Sequence, residues 1–97
     1  MEFEWDEAKN QINLLKHGIG FDRARAAFDN ACLIREDDRQ DYGEQRWQAL
    51  GVIEGTLVLL VAFTRREDSI RIISARKANE RERRIYHAAL PKGTDPR

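Results

Sequence analysis

Hydrophobic positions change period several times along the chain, and each change predicts an element. Phe3 and Trp5 alternate with Glu2 and Glu4, the pattern of a short first strand. Asp6 is a natural N-cap, Glu7 suits a helix N-terminus, and Ala8, Ile12 and Leu15 follow at i, i+4 and i+7. This predicts an amphipathic helix that packs by that stripe. Lys16-His17-Gly18 ends it, because basic residues in a last turn followed by glycine form a stop signal. A second helix begins at Phe21-Asp22, with Ala24, Ala27 and Phe28 as its packing face and Asn30 near its end.

The chain turns apolar and extended from Ala31 to Ile34. Residues 35–45, REDDRQDYGEQ, have no hydrophobic face and read as a mobile loop at a strand end. Three strands follow: Arg46 to Ile53, Thr56 to Thr64 and Ile70 to Lys77. The middle one, TLVLLVAFT, is too continuously apolar to face water and should be the covered central strand. With Glu54-Gly55 and Glu67-Asp68 as two-residue turns, Trp47, Ala62 and Ile73 align on one face, and Gln45, Thr64 and Arg71 sit together at one end.

The last stretch, Ser69 to Leu90, changes period within itself. Ile70, Ile72 and Ile73 are β-branched strand residues, interleaved with Arg71, Ser74 and Arg76. Asn79 can then cap a helix, with Glu82 reaching back to complete a capping box. Ile85, Ala88 and Ala89 share one helical face, and Arg81, Arg83 and Arg84 are distributed over the remainder. A core strand thus delivers Arg76 and Lys77 to a strand–helix junction beside further arginines, the arrangement a phosphate-handling site needs. The expected architecture is one α+β domain over residues 1–90, with two N-terminal helices and a C-terminal one on an antiparallel sheet. Residues 91–97, which lack any apolar side chain, form a disordered tail.

Composition narrows the classes. With 97 residues, 41% apolar and 35% charged, the chain suits one small soluble domain. No apolar run approaches the roughly 20 residues of a membrane span, and the acidic start MEFEWDEAKN is neither a signal nor a transit peptide. The single cysteine, Cys32, excludes an internal disulfide, fits a reducing cytoplasm and reads as a small buried hydrophobe. Net charge is zero, but residues 1–64 carry seven basic against twelve acidic side chains while residues 65–87 carry eight against four. This argues against a simple basic nucleic-acid binder, and a basic C-terminal region remains. Zero net charge and no helix-turn-helix signature also count against a DNA-binding repressor.

Three segments, in order, resemble one family. FEWDEAKNQINLLKHGI, then Glu44-Gln45-Arg46-Trp47-Gln48-Ala49-Leu50-Gly51, then IRIISARKANERERRIY are similar to BrnT, the ribonuclease toxins of bacterial type II toxin–antitoxin modules. The match spans roughly residues 3 to 88, with one departure: the usual ERW is split here by Gln45. The resemblance implies a RelE-like, microbial-ribonuclease-like fold, an endoribonuclease that arrests growth, and a BrnA-type antitoxin that neutralises it. It also implies that promoter DNA is bound only through the antitoxin complex, a hetero-oligomer.

RNA cleavage without metal needs a base for the 2′-hydroxyl, an acid for the leaving 5′-oxygen and cations around the phosphorane. The sequence has no metal-ligand pattern, so no cofactor is expected. Lys16 and His17 match the family's KHG and are the acid–base candidates, with a helix C-cap as the alternative. Arg76, at the end of ISAR, is the phosphate-binding candidate, with an ion pair to Glu80 or to a carboxylate of residues 35–45 as its alternative. Arg71 either joins that cluster or projects to solvent. RNA-contact candidates are Trp47, Arg65, Lys77, Arg81, Arg84 and Tyr86. Trp47 and Tyr86 have core packing as the alternative, and Arg65, like Arg66, an ordinary surface role. Ser74 and His87 read as bystanders. The antitoxin is expected to cover the basic region from Arg71 to Arg84. The competing class is a non-catalytic module that binds a partner, or nucleic acid, through the same region.

Overall fold

A computed structural model describes residues 2–89; the expected tail at residues 91–97 lies outside them. In chain order the elements are β1 (Glu2–Trp5), α1 (Glu7–His17), α2 (Phe21–Ala24), a 3-10 turn (Arg25–Phe28), β2 (Leu33–Asp37), β3 (Arg46–Ile53), β4 (Leu57–Arg66), β5 (Ser69–Lys77) and α3 (Glu80–Ala89). The five strands form one sheet in the order β1-β5-β4-β3-β2, with the apolar β4 in its centre. This is the expected α+β arrangement with one correction. β2 to β5 pair antiparallel, but β1 lies parallel to β5, Phe3 beside Ile70 and Trp5 beside Ile72. Parallel neighbours need a long crossover, and everything between Trp5 and Ser69 supplies it.

The helix ends follow their sequence signals. Asp6 Oδ1 accepts the N–H groups of Ala8 (2.8 Å) and Lys9 (3.4 Å) at the start of α1. Gly18, at φ 73°, closes α1 in the left-handed region that glycine enters without strain, its N–H donating to the Leu14 carbonyl. At α3 the Asn79 N–H donates to Glu82 Oε1 (2.9 Å) and the Glu82 N–H to Asn79 Oδ1 (2.8 Å), the reciprocal capping box.

The packing face of α1 is the opposite of the expected one. Ile12 and Leu15 are 63% and 87% exposed, and the buried residues are Asn10 and Asn13. The reason lies at the sheet edge. β1 pairs with β5 only as far as Ile72, so the backbone of Ala75, paired with Val61 of β4 on one side, has no strand on the other. Asn13 takes the strand's place: its amide donates to the Ala75 carbonyl (2.7 Å) and accepts the Ala75 N–H (3.1 Å). A second N–H of that amide reaches the Ile19 carbonyl (2.9 Å), while Asn10 accepts the Phe21 N–H (2.8 Å). The packing of α3 is corrected as well. Tyr86 faces the sheet at 3% exposure and Ile85 stands half out at 43%, while Ala88 and Ala89 are exposed.

The sheet has a core on each face. One, built on Phe21, Ala27, Ile53, Leu59, Val61, Phe63 and Ile72, lies under α2 and the 3-10 turn. That turn approaches β3 so closely that a Cβ at Gly51 would collide with the Ala27 carbonyl, which is why glycine stands there. The smaller core joins Leu50, Val58, Leu60 and Ala78 to Tyr86 of α3.

Two register details differ from expectation. The β3–β4 turn holds three residues, Glu54 to Thr56, so Trp47 pairs with Phe63 instead of Ala62. The β4–β5 turn is the expected Glu67-Asp68, and Thr64 pairs with Arg71 as expected, its hydroxyl donating to the Gln45 carbonyl (2.8 Å). Further along, Phe63 pairs with Ile72 but Ala62 with Ser74, leaving Ile73 as the extra residue of a β-bulge. Side chains alternate along a regular strand, so Arg71 and Arg76 would point to opposite faces. The bulge inverts the alternation and brings Arg71, Ser74 and Arg76 to the same face, away from buried Ile70, Ile72 and Ala75.

Candidate active site

α3 covers only one end of its face of the sheet, and the rest is polar. Pairing lays the side chains out in rows. Under the helix run Leu33, Leu50, Leu60 and then Arg76; the next row is Arg35, Gln48, Ala62 and Ser74; beyond it lie Arg46, Thr64 and Arg71. Neighbouring strands are about 4.8 Å apart and alternate residues roughly 7 Å, so Arg35, Arg46, Arg71 and Arg76 arise one or two strands from the small Ala62 on the same face. Ala62 is the floor and Arg35, Arg46, Arg71 and Arg76 are the walls. Of these, Arg35, Arg46 and the buried Gln48 were not identified from sequence. Arg35 was hidden in the polar run read as loop, although Leu33, Arg35 and Asp37 keep the alternation of a strand.

The cations are held by defined partners. Arg76 is bidentate to Glu82, both bonds 2.9 Å, so the ion-pair alternative identified the right interaction but not this carboxylate. Arg76 keeps the Glu82 carboxyl below its usual range, assisted by the Asn79 N–H and by the charge of Arg35, while partial burial opposes the shift. Arg71 pairs with Glu4 at 3.0 Å and lowers that carboxyl too. Arg46 lies 4.2 Å over the Tyr42 ring and 3.6 Å from Glu44, and its buried Nε has no hydrogen-bond partner. Arg35 instead uses Nε on a neutral group, Gln48 Oε1, at 3.0 Å. Tyr42 is tied back by its hydroxyl to buried Asp37 (3.2 Å), whose carboxyl Arg39 holds low, so residues beyond β2 are anchored to the strand end.

Lys16 and His17 approach from the side. α1 runs along the β5 edge, and an open cleft of about 200 Å³ is lined by Lys9, Ile12, Asn13, Lys16, His17, Ile73 and Ser74. Ser74 belongs to this cleft and also ends the row through Ala62, so the Lys16–His17 end of α1 and the arginine-walled face share a border. Both residues also occupy the last turn of α1, and the capping role coexists with this placement.

A family model for the ribonuclease toxin BrnT of type II toxin–antitoxin systems matches residues 5–82. The chain belongs to the BrnT family. The crystal structure of the Brucella abortus ribonuclease toxin BrnT is similar in fold and sequence, with a TM-score of 0.67 and 27% identity over 82% of this chain and 99% of that one. No curated protein gives a significant match. As a BrnT toxin, the protein acts on RNA and has an antitoxin as its partner.

The remaining BrnT candidates do not all gather on this face. Trp47 and Arg65 lie on the opposite one, with Trp47 stacked on Phe63 and the Arg65 guanidinium 5.2 Å over the indole. Lys77 pairs with Leu59 and alternates away from Arg76. Arg81 and Arg84 stand exposed on α3, Arg84 paired with Glu80 at 2.9 Å. Tyr86 is a core residue whose hydroxyl donates to the Ala31 carbonyl (3.0 Å), which is its packing alternative. Cys32 is half-buried, and burial raises its thiol pKa, the opposite of an activated nucleophile. Among the described residues no three His, Cys, Asp or Glu side chains group as a metal site, and no helix is long and apolar enough to cross a membrane.

Proposed function

We propose that this BrnT toxin cleaves RNA on the open sheet face without a metal, using the neighbouring 2′-hydroxyl as nucleophile. The observation that carries the reading is the ring of Arg35, Arg46, Arg71 and Arg76 around Ala62, bordered at Ser74 by the Lys16–His17 cleft. The Lys16–His17 pair takes the 2′-hydroxyl proton, O2′ attacks phosphorus, the bond from phosphorus to O5′ breaks, and a proton passes to the leaving oxygen. The products are a 2′,3′-cyclic phosphate and a 5′-hydroxyl. Arg71 and Arg76 stabilise the charge that grows on the phosphorane, where fixed donors act most strongly. Arg81 and Arg84 of α3, beyond the end of β5, extend the basic track for the RNA backbone, and Lys77 on the opposite face stands outside it. Trp47, Arg65 and Tyr86 have no part in the cleavage centre.

The partner in this reading is a BrnA-type antitoxin that neutralises the cytoplasmic toxin by covering the basic region and brings the resulting hetero-oligomer to promoter DNA. Purified protein should cleave RNA in EDTA and leave cyclic phosphate ends; dependence on added Mg²⁺ would overturn the metal-free step. Induced expression should arrest growth with RNA loss in wild type and not in Arg76→Ala. The Arg76–Glu82 pairing favours one second reading, a non-catalytic module that binds through this face, which arrested cells with intact RNA would select.

A further inference from the structure

The outer face of α1 is built against the rule that governs the rest of the fold. Ala8, Ile12 and Leu15 form a single stripe along two turns, and it faces solvent, with Leu14 at 43% exposure beside it. No described residue covers it. On one flank stand Lys9 and Lys16, both exposed and neither in an ion pair among the described residues, although arginines hold nearly every carboxylate around the active face. Lys9, Ile12 and Lys16 also line the cleft that borders the active face at Ser74.

We infer that the α1 stripe is the docking surface for an acidic amphipathic segment of the antitoxin. Its apolar side chains seat on Ile12 and Leu15, and its carboxylates pair with Lys9 and Lys16. The inference rests on the toxin reading above and names where inhibition is anchored. Three observations converge on this occupant. A contiguous exposed apolar stripe on a rigid helix marks a contact surface. The adjacent unpaired lysines set the sign of the partner's charge. A segment on the stripe overhangs the Lys16–His17–Ser74 cleft, so binding there closes the RNA path from the side. A second copy fits less well: antiparallel pairing through the stripe sets the Lys9–Lys16 flank of one molecule against the same flank of the other.

The test is calorimetric titration of the full-length toxin with its cognate antitoxin. Leu15→Glu removes apolar contact and adds repulsion, whereas Leu15→Lys removes the same contact but keeps the attractive charge. Leu15→Glu should weaken binding about 30-fold or more, and Leu15→Lys should bind at least about fivefold more tightly than Leu15→Glu. Leu15 is 87% exposed, so both variants should match wild type in urea unfolding and, when free, in RNA cleavage. Unchanged affinity overturns the dock, and equal loss in the two variants overturns the acidic partner. Sedimentation of the toxin alone gives the third outcome, since a wild-type dimer dissociated by Leu15→Glu would assign the stripe to a second copy and overturn the inference. A wild type that never cleaves RNA, with Leu15→Glu still weakening antitoxin binding, would remove the catalytic reading and leave the dock standing.

Discussion

The Arg76–Glu82 pair separates a structural from a chemical role for Arg76. Its two 2.9 Å bonds join side chains that are 38% and 15% exposed, so solvent screens the pair in part and breaking it should cost about 1–2 kcal/mol. Glu82→Gln removes the charge but keeps an Oε1 acceptor for the Asn79 N–H, so the capping box survives. Arg76→Ala removes the guanidinium itself. The two variants should therefore lose similar stability in urea unfolding, with unchanged slope. Activity should diverge. If Arg76 contacts the phosphorane, its removal should lower kcat/KM for a fluorogenic RNA by about 10²–10³-fold, whereas Glu82→Gln frees the guanidinium and should change it less than about fivefold. Equal losses in the two variants would refute the reasoning and return Arg76 to a purely structural role.

Two further outcomes follow from the same geometry. Asn13→Ala strips buried hydrogen bonds of 2.7, 2.9 and 3.1 Å from Ala75 and Ile19, and should destabilise by about 3 kcal/mol in urea titration; a loss under about 1 kcal/mol would show that water replaces the amide. The Glu82 and Asp37 carboxyls lie below their usual range in the fold, so their contribution is complete above the unfolded values near pH 4 and disappears as pH falls through the lower folded values. The urea midpoint should be flat from pH 7 to about 5 and fall below about 4, less steeply in Glu82→Gln.

What was legible in the sequence was local. Asp6, Gly18 and the Asn79–Glu82 box act through backbone groups within a few residues, and they cap helices where their spacing predicts. The face of α1 was not legible, because its orientation is set by an unpaired backbone on a strand sixty residues away. Hydrophobic spacing names a stripe but cannot show that two asparagines are needed elsewhere. The site was half legible. Arg71 and Arg76 were visible as cations on a strand, but Arg35 and Arg46 join them only through the pairing of β2, β3 and β4. The register of β3 on β4 depends on a three-residue turn, and the facing of Arg71 with Arg76 depends on a bulge at Ile73 of β5.

Asn13 has a consequence for how the protein behaves in a crowd. A sheet edge with free N–H and C=O groups is a template for any extended chain, and β5 beyond Ile72 would be such an edge. A side-chain amide fills the vacant position yet offers no further strand on its far side, so pairing stops there. The other edge, β2, is guarded differently, by Arg35, Glu36 and Asp37 in succession. Beyond the end of β1 the sheet border is thus plugged at Ala75, while β2 carries charge, and each device narrows the length of backbone on which another extended chain could pair.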